Sequence, residues 1–287
     1  MPRTNAVADH VIAVAQTDST NALARRMLRD GELTLPADGV GMTVVAADEQ
    51  TAGRGRLGRT WVSQPGASMT CSFVAALPMS VLTDADVNGW LTMIAGLAAL
   101  DALRGTLEEC GLKPNAPDCT LALKWPNDIY CHGLKLGGIL TEFVPLDDTA
   151  QAANTAEAPR AALIIGIGVN LHLRADRLPT PSSTSLQLHV DNLPDTSVLR
   201  DMICARIASS LRNRLYAFAR DPHAQAAAVH DEALRVCWTI SRRVEARFTD
   251  GTTLAGTAVA LNADASLQVR DDAGELHTVH TADVGVL

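Results

Sequence analysis

The sequence predicts an α+β protein in which helices cover a mixed β-sheet. Runs of apolar and β-branched residues that suit buried strands occur at 41–47, 68–77 and 161–170. The last of these runs is apolar on both faces, which is typical of a central strand. Apolar residues recur at helical spacing over 86–109 and again over 196–235, where two helices follow one another.

A different pattern begins at Cys237, where short strands alternate with turn signals such as Asp250-Gly251. The expected strands are 244–248, 255–261, 267–269 and 276–279. Roughly 50 residues of this kind indicate a small SH3-like β-barrel. We therefore expect two domains, residues 1–236 and residues 237–287, and we expect the chemistry to take place in the larger, first domain.

Composition restricts the class of protein. Apolar residues make up 47% of the chain and aromatic residues only 3%, so the core must be aliphatic. The net charge of −8 disfavours binding to nucleic acid or to acidic membranes. No apolar run is long enough to span a membrane, and no signal-peptide core stands near the N-terminus. We expect a cytoplasmic protein without nucleic-acid or membrane contacts.

The cysteines are scattered, and no C-x-x-C pair occurs among them. The six are Cys71, Cys110, Cys119, Cys131, Cys204 and Cys237. Their spacing matches neither a disulfide framework nor a zinc motif. We expect reduced thiols and no metal held by the protein.

Three glycines and three arginines lie within the first seven residues of GRGRLGRTW, residues 53–61. Glycines let the backbone approach a ligand closely, and guanidinium groups match carboxylate and phosphate oxygens. The pattern predicts a loop that wraps an anion, with Trp61 as an apolar anchor at its end. No helix follows Gly58 as a Rossmann turn requires, and no P-loop motif occurs. A solvated arginine-rich loop is the alternative.

Two further segments carry charged residues at the ends of predicted strands. KWPND at 124–128 follows a short apolar run, and its proline should break the strand. KLGGIL at 135–140 begins the next strand after a turn near Gly133. This hairpin would bring Asp128 close to Lys135, either to hold the ammonium group for chemistry or as an ordinary surface salt bridge.

Five motifs in this order resemble the signature set of the biotin protein ligases. They are DSTN at 18–21, GRGRLGRTW at 53–61, KWPND at 124–128, KLGGIL at 135–140 and GIGVN at 166–170. The resemblance covers essentially the whole chain. It implies a mixed-sheet catalytic domain of the biotin/lipoate ligase type at 1–236 and an SH3-like domain at 237–287. It also implies the short type, without the N-terminal DNA-binding domain of some members.

The resemblance implies a two-step reaction. The biotin carboxylate attacks the α-phosphate of ATP to give biotinyl-5′-AMP and pyrophosphate. A lysine of an acceptor protein, the biotin carboxyl carrier domain of a carboxylase, then attacks the intermediate and releases AMP. Mg²⁺ is implied as a partner of ATP, bound mainly by phosphate oxygens. The assembly state implied is a monomer or a homodimer.

The resemblance also assigns roles to individual residues. Lys135, Arg56 and Asp128 are implied as catalytic. The implied biotin-binding residues are Ser19, Thr20, Asn21, Gln50, Gly53, Arg54, Gly55, Arg56, Lys135, Gly137 and Gly138. The implied ATP-binding residues are Arg54, Arg56, Arg59, Trp61, Lys124, Asn127, Asp128, Lys135 and Asn170. Residues 18–21 have a second interpretation, since polar side chains at a helix start cap free N–H groups; the helix expected there is 22–29.

Three features depart from the family pattern or receive no role. Leu57 stands where the family often has another arginine. The loop at 176–185, which in the family folds over adenine, contains no aromatic residue. The polar, alanine-rich segment 145–159 is expected to be an insertion in a hairpin.

Two alternative functions remain open from the sequence. A lipoate or octanoate ligase shares the fold and chemistry, but GRGRLGRTW together with KWPND is not the pattern of those enzymes. A biotin or nucleotide sensor would keep the pocket without catalysis. Transfer of labelled biotin to an acceptor domain separates both alternatives from a biotin ligase.

Overall fold

The computed structural model describes residues 1–36, 40–146 and 159–287, and the predicted mixed sheet is confirmed within them. Its strands are β1 (His10–Thr17), β2 (Thr43–Gln50), β3 (Ser68–Pro78), β4 (Leu121–Lys124), β5 (Asp128–Cys131), β6 (Leu134–Pro145) and β7 (Arg160–Asn170). They lie in the order β1-β2-β3-β7-β6-β5-β4. β1 and β2 are parallel, and every other neighbouring pair is antiparallel.

Helices cover both faces of this sheet. They are α1 (Pro2–Asn5), α2 (Thr20–Arg29), α3 (Met79–Thr83), α4 (Trp90–Glu109), α5 (Thr196–Arg220) and α6 (Pro222–Val236). α2 packs on one face with a small apolar cluster that includes Ala24, Val45 and Ile164. α4, α5 and α6 share the main core on the other face. α4 is apolar around most of its circumference because it lies between the sheet and two helices.

A second, antiparallel sheet follows α6 and is consistent with the SH3-like domain. Its strands are β8 (Arg243–Arg247), β9 (Thr253–Leu261), β10 (Leu267–Arg270), β11 (Leu276–Val279) and β12 (Asp283–Val286), in the order β11-β10-β9-β8-β12. The sequence missed β12, since Asp283 and Gly285 give its four residues a weak strand pattern. The exact boundary near residue 237 stays a prediction.

Tryptophan side chains join the C-terminal sheet to the rest of the chain. The indole Nε1 of Trp90 donates to the Ala263 carbonyl at 2.6 Å, and that of Trp125 donates to the Ala265 carbonyl at 2.8 Å. Trp125 also donates its backbone N–H to Thr239 Oγ1 at 2.8 Å. Trp90 and Trp125 are both buried, so these contacts fix the C-terminal sheet against the start of α4 and the β4–β5 turn.

Several predicted element bounds were wrong. β1 was missed, because an exposed edge strand shows no clear apolar pattern. The long helix begins at Trp90 rather than at Asp86. Gly89, at its N-cap, lies so close to the Asp264 backbone that a Cβ would come within 2.5 Å of the carbonyl oxygen. α2 begins at Thr20, and Ser19 at its N-cap makes no side-chain capping bond. Residues 147–158, most of the predicted insertion, lie outside the described residues.

A membrane-spanning helix would need a long, strongly apolar stretch. Within the described ranges, no helix combines the length and the hydropathy that such a span requires.

Candidate functional site

A cavity of about 840 Å³, including its open mouth, lies where β5, β6 and β7 face the loop after β2. One wall comes from the arginine-rich loop, another from the β4–β5 turn, and a third from the start of β12. The C-terminal sheet therefore contributes to the cavity. This places main-chain and side-chain groups from distant parts of the sequence around one space.

The arginine-rich loop forms a short hairpin closed by backbone hydrogen bonds. Gly55 N donates to Arg59 O at 2.7 Å, and Trp61 N donates to Gly53 O at 2.9 Å. Between them Leu57 has φ 55° and Gly58 has φ 74°, so two successive residues adopt the left-handed conformation. The tight turn presents Arg54, Arg56 and Arg59 to the cavity.

One carboxylate holds two ammonium groups in the β4–β5–β6 hairpins. Asp128 Oδ1 lies 2.7 Å from Lys135 Nζ, and its Oδ2 lies 3.2 Å from Lys124 Nζ. The side chains of Lys124 and Asp128 are 8% and 12% exposed, whereas that of Lys135 is 32% exposed. The cluster has one more positive than negative charge, and its exposed member faces the cavity. Such a group favours an anionic ligand.

Arg56 and Arg59 extend this positive charge across the cavity. Arg56 Nη1 donates to Asn127 Oδ1 at 3.3 Å, which connects the loop to the β4–β5 turn. Burial lowers the pKa of Arg56, and the carboxylates of Asp128 and Asp283 oppose that shift. Arg59 forms an ion pair with Asp283 of the C-terminal sheet. An anion that neutralises the Arg56 guanidinium group would relieve the cost of holding it partly out of water.

The other end of the cavity is neutral and polar. Gln50 Oε1 accepts hydrogen bonds from Thr20 N at 2.8 Å and from Thr20 Oγ1 at 3.2 Å. Ser72 Oγ, fully buried, donates toward Thr20 Oγ1 at 2.7 Å and lies 2.6 Å from Asn21 Oδ1. Donors and acceptors are thus fixed at the end of β2 and the start of α2. A ring with amide-like groups is the kind of ligand that they suit.

The floor of the cavity is glycine backbone covered by an indole ring. A Cβ on Gly168 of β7 would lie 2.4 Å from Trp61 Cε2, so only glycine admits the ring at this position. Lys135 Nζ lies 6.0 Å from the centroid of the Trp61 ring. Trp61 Nε1 is buried and has no hydrogen-bond partner among the described residues. An unpaired buried N–H next to a cavity is available to a ligand oxygen.

Comparisons with known proteins show the family of the chain. Residues 14–155 match the Biotin/lipoate A/B protein ligase family. The biotin--[acetyl-CoA-carboxylase] ligase of Mycobacterium tuberculosis is 32% identical over 249 residues, which cover 85% of this chain and 77% of that protein. The chain belongs to the biotin protein ligase family. The ligase of the same name from Paracoccus denitrificans is 37% identical over 159 residues, 55% of this chain and 53% of its own.

Solved biotin protein ligases have the same fold. The Aquifex aeolicus enzyme in complex with biotin and ATP superposes with a TM-score of 0.65 at 21% identity, covering 97% of this chain and 100% of that chain. The Leishmania major enzyme in complex with biotinyl-5-AMP gives a TM-score of 0.55 at 23% identity, covering 95% and 99%. The fold class that the sequence predicted, with its C-terminal sheet, is therefore confirmed.

Most of the site residues predicted from family motifs line the one cavity. These are Thr20, Gln50, Arg54, Gly55, Arg56, Arg59, Trp61, Lys124, Asn127, Asp128, Lys135 and Gly138. Five others are not among the lining residues: Ser19, Asn21, Gly53, Gly137 and Asn170. Asn21 Oδ1 lies 2.6 Å from Ser72 Oγ, and Asn170 Nδ2 donates to the Thr184 carbonyl at 2.9 Å. Their roles in binding biotin or ATP remain predictions.

The roles assigned from the motifs omitted other lining residues. Ile139, Leu140 and Gly166 lie within KLGGIL and GIGVN but received no role. Thr70 comes from β3, where no local signal separates it from an ordinary core position. Ala282, Asp283 and Val284 come from the C-terminal sheet. The prediction placed no site residue beyond Asn170, because contact between the two sheets cannot be read from local sequence.

Replacing Gly168 with alanine should displace the Trp61 ring, since the new methyl group would overlap it. We expect a loss of about 1–3 kcal/mol in the free energy of unfolding and weaker binding of biotin. Urea denaturation and calorimetric titration with biotin measure the two effects. Gly285→Ala is the matched control, because a Cβ there meets only the Glu245 carbonyl at 3.9 Å. Equal stability of the two variants would contradict the packing described.

Proposed function

We propose that this chain attaches biotin to a lysine of an acceptor protein, using ATP and passing through biotinyl-5′-AMP. The observation that carries the proposal is that Arg56 and Lys135 face one cavity with a neutral polar end. A carboxylate and a phosphate that react with each other need cations at one place. A ureido ring needs fixed donors and acceptors at the other.

In the first step a carboxylate oxygen of biotin attacks the α-phosphorus of ATP. The bond from that phosphorus to the bridging oxygen breaks, and pyrophosphate leaves. Lys135, the cavity-facing ammonium of the Asp128 cluster, stabilises the charge that grows on the α-phosphate oxygens. Arg54 and Arg56 hold the reacting carboxylate and phosphate together, so that the two anions meet without mutual repulsion.

In the second step the amine of the acceptor lysine attacks the acyl carbon of the mixed anhydride. The carbon–oxygen bond to the phosphate breaks, AMP leaves, and the nitrogen loses a proton. Asp128 is suited to orient the incoming amine through its N–H groups, since its carboxylate lies at the cavity wall and already binds the Nζ atoms of Lys124 and Lys135. No nucleophile of the protein takes part, so its contribution is alignment, charge neutralisation and exclusion of water.

Mg²⁺ would enter with ATP rather than through a dedicated protein site. The carboxylates in the described cavity wall, Asp128 and Asp283, are both paired with basic side chains. This donor set suits a cation that keeps several waters and binds mainly to phosphate oxygens. When bound, Mg²⁺ would neutralise charge on the triphosphate, and Asp128 and Asp283 are the carboxylates of the described cavity wall that could hold it.

The acceptor that fits this chemistry is the biotin carboxyl carrier domain of a carboxylase. We propose that the modification takes place in the cytoplasm. The ligase would act as a monomer or a homodimer and would not bind nucleic acid. Incubation of the full chain with labelled biotin, ATP and such a domain should give one labelled lysine. Lipoate in place of biotin should give none. Adenylate formation without transfer would reject ligation in favour of a sensor, and preference for lipoate would reject the substrate.

Replacing Arg56 with glycine should weaken the binding of biotinyl-5′-AMP while leaving its synthesis partly intact. The guanidinium group connects the loop to Asn127 and closes the cavity over the reacting centre. We expect free biotinyl-5′-AMP to accumulate in solution roughly 10-fold faster, the effect of about 1.4 kcal/mol of lost binding. Chromatography of the reaction mixture without acceptor measures it, and Arg242→Gly, in the C-terminal part, is the control. If Arg56→Gly releases biotinyl-5′-AMP at the native rate, the arginine-rich loop does not retain the intermediate.

A further inference from the structure

A group of soft metal ligands lies apart from the ligase cavity. Cys119 and Cys131 lie with their Sγ atoms 3.3 Å apart, and His189 offers a ring nitrogen within 4.8 Å of both sulfurs. Cys119 is 9% exposed and Cys131 2% exposed, while His189 is half-buried. None of these residues has a part in the ligase chemistry. We propose that Cys119, Cys131 and His189 form a binding site for one Zn²⁺ ion.

The donor set selects the metal. Two thiolate sulfurs and one imidazole nitrogen are the ligands that Zn²⁺ prefers, and a water molecule would complete the tetrahedron. Metal–sulfur bonds of about 2.3 Å and metal–nitrogen bonds of about 2.0 Å place tetrahedral donors roughly 3.6–3.8 Å apart. The sulfurs need to separate by only a few tenths of an ångström, and the nitrogen needs to approach by about 1 Å. Both movements are side-chain adjustments.

Metal binding by this group would be coupled to proton release. Thiols must lose their protons to become metal ligands, so the binding of a divalent ion by Cys119, Cys131 and His189 releases protons and strengthens as the pH rises.

The surroundings supply an access route and an outer shell. An open, mainly apolar cavity lined by Leu107, Leu112 and Leu186 reaches both thiols. The hydroxyl of Thr184 lies 2.6 Å from His189 Nε2, the type of contact that orients a metal-binding imidazole. The route would let the ion exchange with solvent, since His189 itself is not sealed in the core.

The proposed ion would also stabilise the structure that supports the ligase site. Cys131 ends β5, the strand that begins with Asp128. Thr184, beside His189, donates its N–H to the Lys135 carbonyl at 2.8 Å. The ion would therefore join β5 to the segment that supports Lys135. The sequence did not indicate this site, because eleven residues lie between the two cysteines and 57 residues lie between Cys131 and the histidine.

Cobalt(II) titration of the reduced full-length protein, without oxygen, tests the proposal. We expect one equivalent of Co²⁺ to give intense sulfur-to-cobalt absorption in the near ultraviolet and the visible bands of a tetrahedral ion. Zn²⁺ should displace it, and a 100-fold excess of Zn²⁺ over its Kd should raise the Tm by roughly 5 °C. Binding that gives no sulfur-to-cobalt absorption, or no binding at all, overturns the proposal.

Single substitutions separate this site from unspecific thiol binding. Cys119→Ser and His189→Gln should each weaken Co²⁺ binding on the order of 100-fold, since loss of even an outer-shell partner costs up to that much. His189→Gln changes a half-buried residue, so folding is not at risk. Cys110→Ser, a cysteine outside the cluster, should bind as the native chain does. Loss of binding in Cys110→Ser, or its retention in His189→Gln, overturns the assignment, as does a Cys119–Cys131 disulfide that reforms in preference to the metal complex.

Discussion

Lys135→Ala is expected to abolish pyrophosphate release driven by biotin. The ammonium group is the most exposed member of the Asp128 cluster and faces the cavity in which the proposed reaction brings the two anions together. Removal of one preorganised group that stabilises transition-state charge typically costs about 10²–10³-fold in rate. A coupled pyrophosphate assay with saturating ATP and biotin measures the loss. We expect the Tm to change little, since the side chain is 32% exposed.

Lys113→Ala is the matched control for this variant. Lys113 is an exposed lysine that lines a different cavity, so its removal changes the net charge equally without touching the reacting groups. The control should retain native turnover. Turnover of Lys135→Ala at the native rate would remove the role assigned to that ammonium group, whatever the control shows.

Asp128→Asn is expected to destabilise the whole protein as well as to inactivate it. The substitution removes the carboxylate shared by Lys124 and Lys135 and leaves the buried ammonium group of Lys124 without its charge partner. Breaking a buried ion pair on one side typically costs about 3–5 kcal/mol. Denaturation by urea should show the loss in the transition midpoint. Asp176→Asn, whose side chain is 61% exposed and paired with Arg174, should shift stability by less than about 0.5 kcal/mol.

A double variant identifies the cause of this destabilisation. Lys124→Met together with Asp128→Asn removes the buried unpaired charge and keeps a side chain of similar length. If the unpaired ammonium group is the source of the loss, the double variant should regain most of the stability but none of the activity. A double variant as unstable as Asp128→Asn would place the cost in packing or hydrogen bonding instead.

Strongly patterned segments were predicted well from the sequence. The strand at 161–170 and the helices α5 and α6 are long, apolar at regular spacing and flanked by breakers, so local pattern and tertiary packing agree. β1 and β12 were missed for different reasons. β1 is a partly exposed edge strand without a clear apolar pattern, and β12 is only four residues long. In both, pairing with a neighbouring strand stabilises a segment whose own propensity is weak.

The candidate site was predicted to the extent that its residues lie in short motifs. The hairpin from β5 to β6 brings Asp128 to Lys135 because antiparallel pairing over a short turn leaves little freedom. Asn21 and Asn170 were assigned to ligands from their motifs; neither is among the lining residues of the cavity, and both make hydrogen-bond contacts within the protein. A motif fixes which residues are near one another, whereas the direction of each side chain depends on the packing around it.

The sequence by itself indicated the fold class, the family and the charged residues of the cavity, because each can be inferred from short motifs and local apolar patterns. Tertiary structure alone decided that the C-terminal sheet supplies Asp283 to the cavity and that the Trp61 ring lies on Gly168. It also decided that two distant cysteines meet a histidine. These contacts join segments separated by tens to hundreds of residues, and only the docking of one sheet or loop on another sets their distances.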